Sequence, residues 1–189
     1  TMPASPPSPK EVTKIAFGSC LREQRPAPIL DTILAAKPDV MIWLGDNIYG
    51  DSDDPKVITA KYATLGNKPE FQRLKAAVPF LATWDDHDMG KNDAGGDYPF
   101  IEQNKKIMLD FFGEPADSDR RKRPGVYDSA NFTSNGKRVQ VILLDTRSFR
   151  SPMKMETRDK KKFYLPTDDA NATGCGAAEQ TPSETTSPS

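Results

Sequence analysis

The stretch Val40-Met41-Ile42-Trp43-Leu44-Gly45-Asp46-Asn47-Ile48-Tyr49-Gly50-Asp51 decides the fold. Its first five residues are continuously apolar, as a strand covered on both faces must be. Its remainder turns abruptly to glycine, carboxylate, amide and phenol, groups that a buried strand would not carry unless it ended there. A second run, Pro79–Trp84 (PFLATW), is followed in the same way by Asp85-Asp86-His87-Asp88. A third, Val12–Ser19 (VTKIAFGS), runs into Cys20. Between them, Pro28–Ala36, Lys56–Leu65 and Pro69–Ala77 have helical spacing. The order βαβαβ predicts an α/β chain with a parallel sheet and helices on both faces. Downstream, Phe100–Phe112 predicts a further helix. Val126–Phe132 and Lys137–Leu144 predict a hairpin around Ser134-Asn135-Gly136.

If the three strands are parallel, their polar ends share one edge of the sheet, where open α/β sheets bind ligands. Asp145-Thr146-Arg147, after the last hairpin strand, is a fourth candidate contributor. The segment Asp85–Asp97 carries five aspartates in 13 residues, and carboxylates so crowded repel unless a cation neutralises them. The plain alternative is a solvated acidic loop with Asx-turns. Carboxylates and amides suit hard cations, whereas Cys20 and Tyr49 as thiolate and phenolate would favour a trivalent iron. Metal ions bridged by a carboxylate suit phosphoryl displacement, and His87 could protonate a leaving alkoxide. Taken singly, each residue also has a structural reading. Cys20 could be a small apolar residue, Asp46 a helix cap, Tyr49 packing, Asp51 a turn, His87 a hydrogen-bonder, and Arg147 the partner of an aspartate. The basic run Arg120–Arg123 reads as a solvated turn before Pro124-Gly125.

Composition closes off other classes. The 189 residues hold 26 basic against 27 acidic side chains, a formal net charge of −1, which argues against a dedicated nucleic-acid binder. No apolar run is long enough to span a bilayer. Two cysteines make no disulfide framework, and a single histidine makes no His-rich zinc site. Neither G-x-G-x-x-G nor G-x-x-x-x-G-K-[ST] follows a strand, which removes the common nucleotide-binding loops. Residues 1–11, rich in proline and serine, predict a flexible linker, and residues 12–165 a domain. Residues 166–189 contain no Val, Ile, Leu, Met or aromatic residue, predicting a disordered tail.

Gly45-Asp-x-x-Tyr49 with Asp86-His87-Asp88 resembles the calcineurin-like metallophosphoesterases. Four further stretches are similar to their alkaline phosphatase D (PhoD-like) branch: Phe17-Gly18-Ser19-Cys20, Ala82–Asp88, Asn92–Pro99 and Leu144–Arg150. The likeness runs from about Lys14 to Leu165. It implies a phosphoric monoester and diester hydrolase that uses iron with calcium outside the cytoplasm, secreted or periplasmic. It implies that Asp46 bridges the metals, that Cys20 and Tyr49 bind iron, and that Asp86 and, less directly, Asn92 bind the second metal. It implies that His87 assists the leaving group; Arg147 is the candidate substrate contact. The branch continues with a late segment that supplies histidine ligands. Here the pattern breaks at Gly174-Cys175-Gly176 and no histidine follows His87. The expectation is therefore a partial metallophosphoesterase sheet with its C-terminal half absent, through truncation or a reading-frame shift near Thr173. Such a chain would be weakly active or inactive alone, a non-catalytic metal- or phosphate-binding fragment, or half of a split enzyme awaiting a complementing chain or oligomer.

Overall fold

A computed structural model of the chain describes residues 6–158 and 161–165. The expected tail, 166–189, and the first five residues of the expected linker lie outside the described residues. Strands β1 (Ile15–Gly18), β2 (Val40–Leu44) and β3 (Phe80–Thr83) form a parallel sheet in the order β1-β2-β3. Helix α1 (Ile29–Ala35) crosses from β1 to β2, and α2 (Pro55–Gly66) with α3 (Pro69–Ala77) crosses from β2 to β3. A single turn of helix, α4 (Asp86–Met89), follows β3 where the sequence suggested loop. Next come α5 (Ile101–Phe112), α6 (Asp119–Lys122) and the antiparallel hairpin of β4 (Asp128–Ser134) and β5 (Lys137–Leu143). A second hairpin, β6 (Lys154–Arg158) with β7 (Lys161–Leu165), was not foreseen; its charged sequence lacks an apolar alternation.

Local chemistry explains the boundaries. Asp54 caps α2, its Oδ1 accepting from Lys56 N at 2.9 Å, with Pro55 at the first helical position. Gly113 ends α5 in the left-handed conformation, φ 84°. Asn135 and Gly136, at φ 50° and 74°, make the two-residue turn between paired Ser134 and Lys137.

Because β2 is central and pairs on both sides, its Val40 to Trp43 are all buried. Met41 and Trp43 face the helices. Trp43 meets the rings of Phe71, Phe80 and Phe112 at centroid distances of 5.5, 5.5 and 6.1 Å. Val40 and Ile42 face the other way and pack with Val12, Phe132 and Leu143. The helices therefore cover one face, and among the described residues the β4–β5 hairpin covers the other. This corrects the expectation of helices on both faces. Strands laid down in consecutive order, joined by crossovers of one hand, put every crossover helix on the same side. Glu11 bridges to Thr133 of β4, held by Val12 N to Thr133 O and Thr133 N to Lys10 O, both 2.8 Å.

The basic run is also not a solvated turn throughout. Arg120 is buried, and its guanidinium donates to the carbonyls of Ala82 and Val126 and pairs with Glu114 at 3.3 Å. It ties the end of β3 to the segment that leads into β4. Arg120→Ala should destabilise the chain by about 3 kcal/mol, because it strands buried acceptors and leaves Glu114 unpaired. Lys122→Ala, at an exposed site, should change stability by no more than about 0.5 kcal/mol. Urea unfolding of both variants checks the contrast.

Candidate metal centre

The three strands of the sheet do end along one edge, and the chain turns sharply there. Gly45 and Asp46 follow β2 at φ 104° and 50°, and Cys20 follows β1 at φ 60°. At Gly45 a side chain is also excluded by space, since a Cβ would lie 2.6 Å from Asp85 N. Backbone pairing continues past the strand ends, with Cys20 N on Gly45 O at 3.2 Å and Leu21 N on Asp46 O at 2.9 Å. Cys20 is thereby set beside Asp46.

The loops after β2 and β3 are fastened together. The buried Asp88 carboxylate accepts from Asn47 Nδ2 at 2.5 Å, Asn47 N at 3.2 Å and Asp85 N at 2.6 Å. Asn47 Nδ2 also donates to Thr83 O at 2.9 Å. Gly50 N bonds His87 O, and Ser52 N bonds Gly90 O, both at 3.0 Å. Burial pushes the Asp88 carboxyl up to about 8, against the pull of the Asp85 and Asn47 amides.

Asp46, Asp86 and His87 meet at this edge, each offering a ligand atom within 4.8 Å of the others. Asp46 is buried, and its Oδ1 has no hydrogen-bond partner among the described residues. Its Oδ2 takes a weak contact from Cys20 Sγ at 3.5 Å and one from Tyr49 Oη at 3.4 Å. Burial raises the Asp46 pKa; His87 opposes the rise, while Asp85 and Asp86 add to it. Burial, then the Asp46 carboxylate and Cys20, push the Tyr49 phenol up to about 12. An orphaned buried oxygen, converging carboxylates and an imidazole form a donor set that fits a cation.

The other candidates fall around this cluster. Cys20 is exposed beside Asp46, outside the three-residue group. Asn92 is not gathered in either: its side chain donates to Asp93 Oδ2 at 2.6 Å and its backbone N to Asp51 Oδ1 at 3.0 Å. Arg147 reaches the edge from beyond β5, with Nε on Asp85 Oδ1 and Nη2 3.3 Å from Asp86 Oδ1. The pairing with aspartates that its plain reading foresaw is thus present.

Two participants, Asp51 and Glu23, have no site role in the sequence reading, and a third, Asp145, is marked there only as part of the strand-end group with Arg147. Asp51 holds His87 Nδ1 at 2.5 Å, where a turn residue seemed sufficient. Glu23, almost fully buried, accepts Tyr49 N at 3.0 Å and pairs with Lys61 at 2.7 Å. No local pattern marks it, since both partners are distant in sequence. Asp145 accepts from Trp84 Nε1 at 3.1 Å, Val126 N at 2.7 Å, and Ser148 N and Oγ at 2.9 and 2.7 Å. It also accepts Arg147 N at 3.1 Å, and so sets the turn that aims Arg147.

The profile of the PhoD-like phosphatases matches residues 15–182. The chain belongs to that family. The solved structure of PhoD is similar, with a TM-score of 0.60 at 19% identity, covering 81% of this chain and 34% of that one. The PhoD-like chain thus spans about a third of the length of the solved protein, and the shared fold is a partial one. No curated protein matches the sequence.

Burial works to raise the Asp145 pKa, but the Ser148 hydroxyl and amide, with the Val126 and Trp84 donors, outweigh it and hold the pKa below 3.8. A native pKa below the unfolded value adds stability above about pH 4, lost as pH falls through the native value. Asp145→Asn should lower stability at pH 7 by about 2 kcal/mol. It should also flatten the fall in stability below pH 4, as measured by urea unfolding across pH.

Proposed function

We propose that this chain carries the strand-edge portion of a metal-dependent phosphoric ester hydrolase, acting on phosphate monoesters or diesters. One observation carries the reading: Asp46, Asp86 and His87 converge at the carboxyl edge of a parallel sheet in a PhoD-like phosphatase. Iron with calcium is the proposed metal pair. Asp46 would bridge the ions, Cys20 and Tyr49 would complete the iron side, and Asp86 with Asn92 would serve the second metal. A bound pair supplies an activated water and neutralises the charge of the phosphoryl group.

The chain's own residues supply the rest. Asp51 fixes the imidazole of His87 through Nδ1 and leaves Nε2 to give a proton to the departing oxygen. Arg147 is anchored to Asp85 and Asp86 through Nε and Nη2. So held, its guanidinium would contact a phosphoryl oxygen. The full enzyme would work outside the cytoplasm; among the described residues no helix is long and apolar enough to cross a membrane.

Alone, the chain should turn over p-nitrophenyl phosphate slowly with added iron and calcium, and Asp46→Asn should abolish that turnover. The same substitution should weaken metal binding, read by calorimetry, by at least about 100-fold, the upper range for changes one layer further out. Unchanged metal affinity would sink the assignment. His87→Ala should reduce hydrolysis of an alkyl phosphate by about 10² or more while sparing the nitrophenyl ester, whose leaving group needs no proton. An equal loss on both substrates would make His87 a ligand instead.

A second reading, half of a two-chain phosphatase, is favoured by apolar surface near the site. Phe17 and Leu44, on the hairpin side of β1 and β2, are 69% and 43% exposed, and Leu144 after β5 is 66% exposed. Co-expression with a polypeptide supplying the remaining two thirds of a PhoD-like domain should raise activity well above that of either part. No gain in a co-purified complex would reject this reading.

A further inference from the structure

A cleft of about 320 Å³ lies against the metal-centre loops, outside the cluster itself, and its chemistry is cationic. Arg22, Arg25 and Lys61 line it, together with Glu23, Tyr49 and Asp51. Both acids are already engaged. Glu23 is paired to Lys61 at 2.7 Å, and Asp51 is held by His87 at 2.5 Å. The two arginines are not neutralised in this way. Arg22 and Arg25 are exposed, and among the described residues neither pairs with a carboxylate.

Arg22 is placed by the site's own phenol. Its guanidinium lies 4.2 Å from the centroid of the Tyr49 ring, a cation–π contact. The same ring lies 4.3 Å from the ring of His87 and carries the hydroxyl that meets Asp46 Oδ2 at 3.4 Å. The Tyr49 backbone is in turn fixed by its N–H on the buried Glu23. One ring thus separates the leaving-group side of the cluster from an uncompensated guanidinium. Stacking orders the side chain before any ligand arrives and leaves its planar fork of donors open to a bidentate anion.

We propose that this cleft is a second anion subsite, and that the substrate is a phosphate ester whose alcohol portion carries a further phosphate group. The ester phosphorus would sit at Asp46, Asp86 and His87, and the distal phosphate at Arg22 and Arg25. The inference rests on the metal-centre reading above and names the substrate class of that site.

The test uses two non-hydrolysable probes on the full chain with calcium present. Propylphosphonate offers one phosphonate; propane-1,3-diphosphonate offers a second at the far end. The diphosphonate should bind at least about tenfold more tightly by calorimetry, as expected for a charge-assisted contact. Arg22→Met with Arg25→Met should remove that advantage while leaving propylphosphonate affinity unchanged. Arg22→Lys, which keeps the charge but loses the planar fork, should keep only part of it. Circular dichroism confirms that the variants fold. If the double variant keeps the tenfold preference, or if no preference exists, the subsite is overturned. If instead neither probe's binding depends on calcium or on Asp46, the metal-centre reading fails, and the two failures are told apart.

Discussion

The Asp88 carboxylate holds the functional edge together. It receives the side chain and the backbone of Asn47 and the backbone of Asp85, and so welds the loop after β2 to the turn after β3. Those two segments carry Asp46, Asp86 and His87. The weld holds the two loops together against the mutual repulsion of Asp46 and Asp86. Burying a carboxyl group is unfavourable unless its oxygens are partnered; three N–H donors partner it here and offset part of the burial cost. The Gly50–His87 and Ser52–Gly90 backbone bonds then extend the weld along both loops.

Around that joint the charges are arranged unevenly. Arg147 answers Asp85 and lies near Asp86, and His87 answers Asp51, but Asp46 has only a thiol and a phenol in hydrogen-bond contact with one oxygen and, among the described residues, no hydrogen-bond partner on the other. The imbalance is what a cation would resolve. Asp145 and Glu23 support the arrangement from behind, the first by shaping the turn that delivers Arg147 and the second by fixing the backbone of Tyr49. Neither lies in the cluster, yet each determines where a cluster residue stands.

Much of this was legible in the residue order, for identifiable reasons. A continuously apolar VMIWL, short and bounded by turn residues, reads as a buried strand, which holds for Val40 to Trp43, and Asn135-Gly136 between two β-rich runs reads as a tight turn. The abrupt change from apolar to carboxylate at Gly45-Asp46 and Trp84-Asp85 located the edge. Other features had no local signature. Arg120 looks like its neighbours Arg121 and Lys122, and only the carbonyls of Ala82 and Val126 make it a buried strut. Asn92 stands among acidic residues in sequence, yet its side chain turns to Asp93.

The sequence by itself determined the elements of the parallel sheet with its crossover helices and of the β4–β5 hairpin, their order, and which residue types stand at the strand ends, because apolar periodicity and turn chemistry are local properties. It also determined that only one histidine is available. The tertiary structure alone decided which face the helices cover, since strand order and crossover hand are properties of the assembled sheet. It alone decided that Asp51, rather than another carboxylate, orients His87, and that Arg147 rests on Asp85 and Asp86. Those pairings join residues tens of positions apart, and their partners are selected by distance in space.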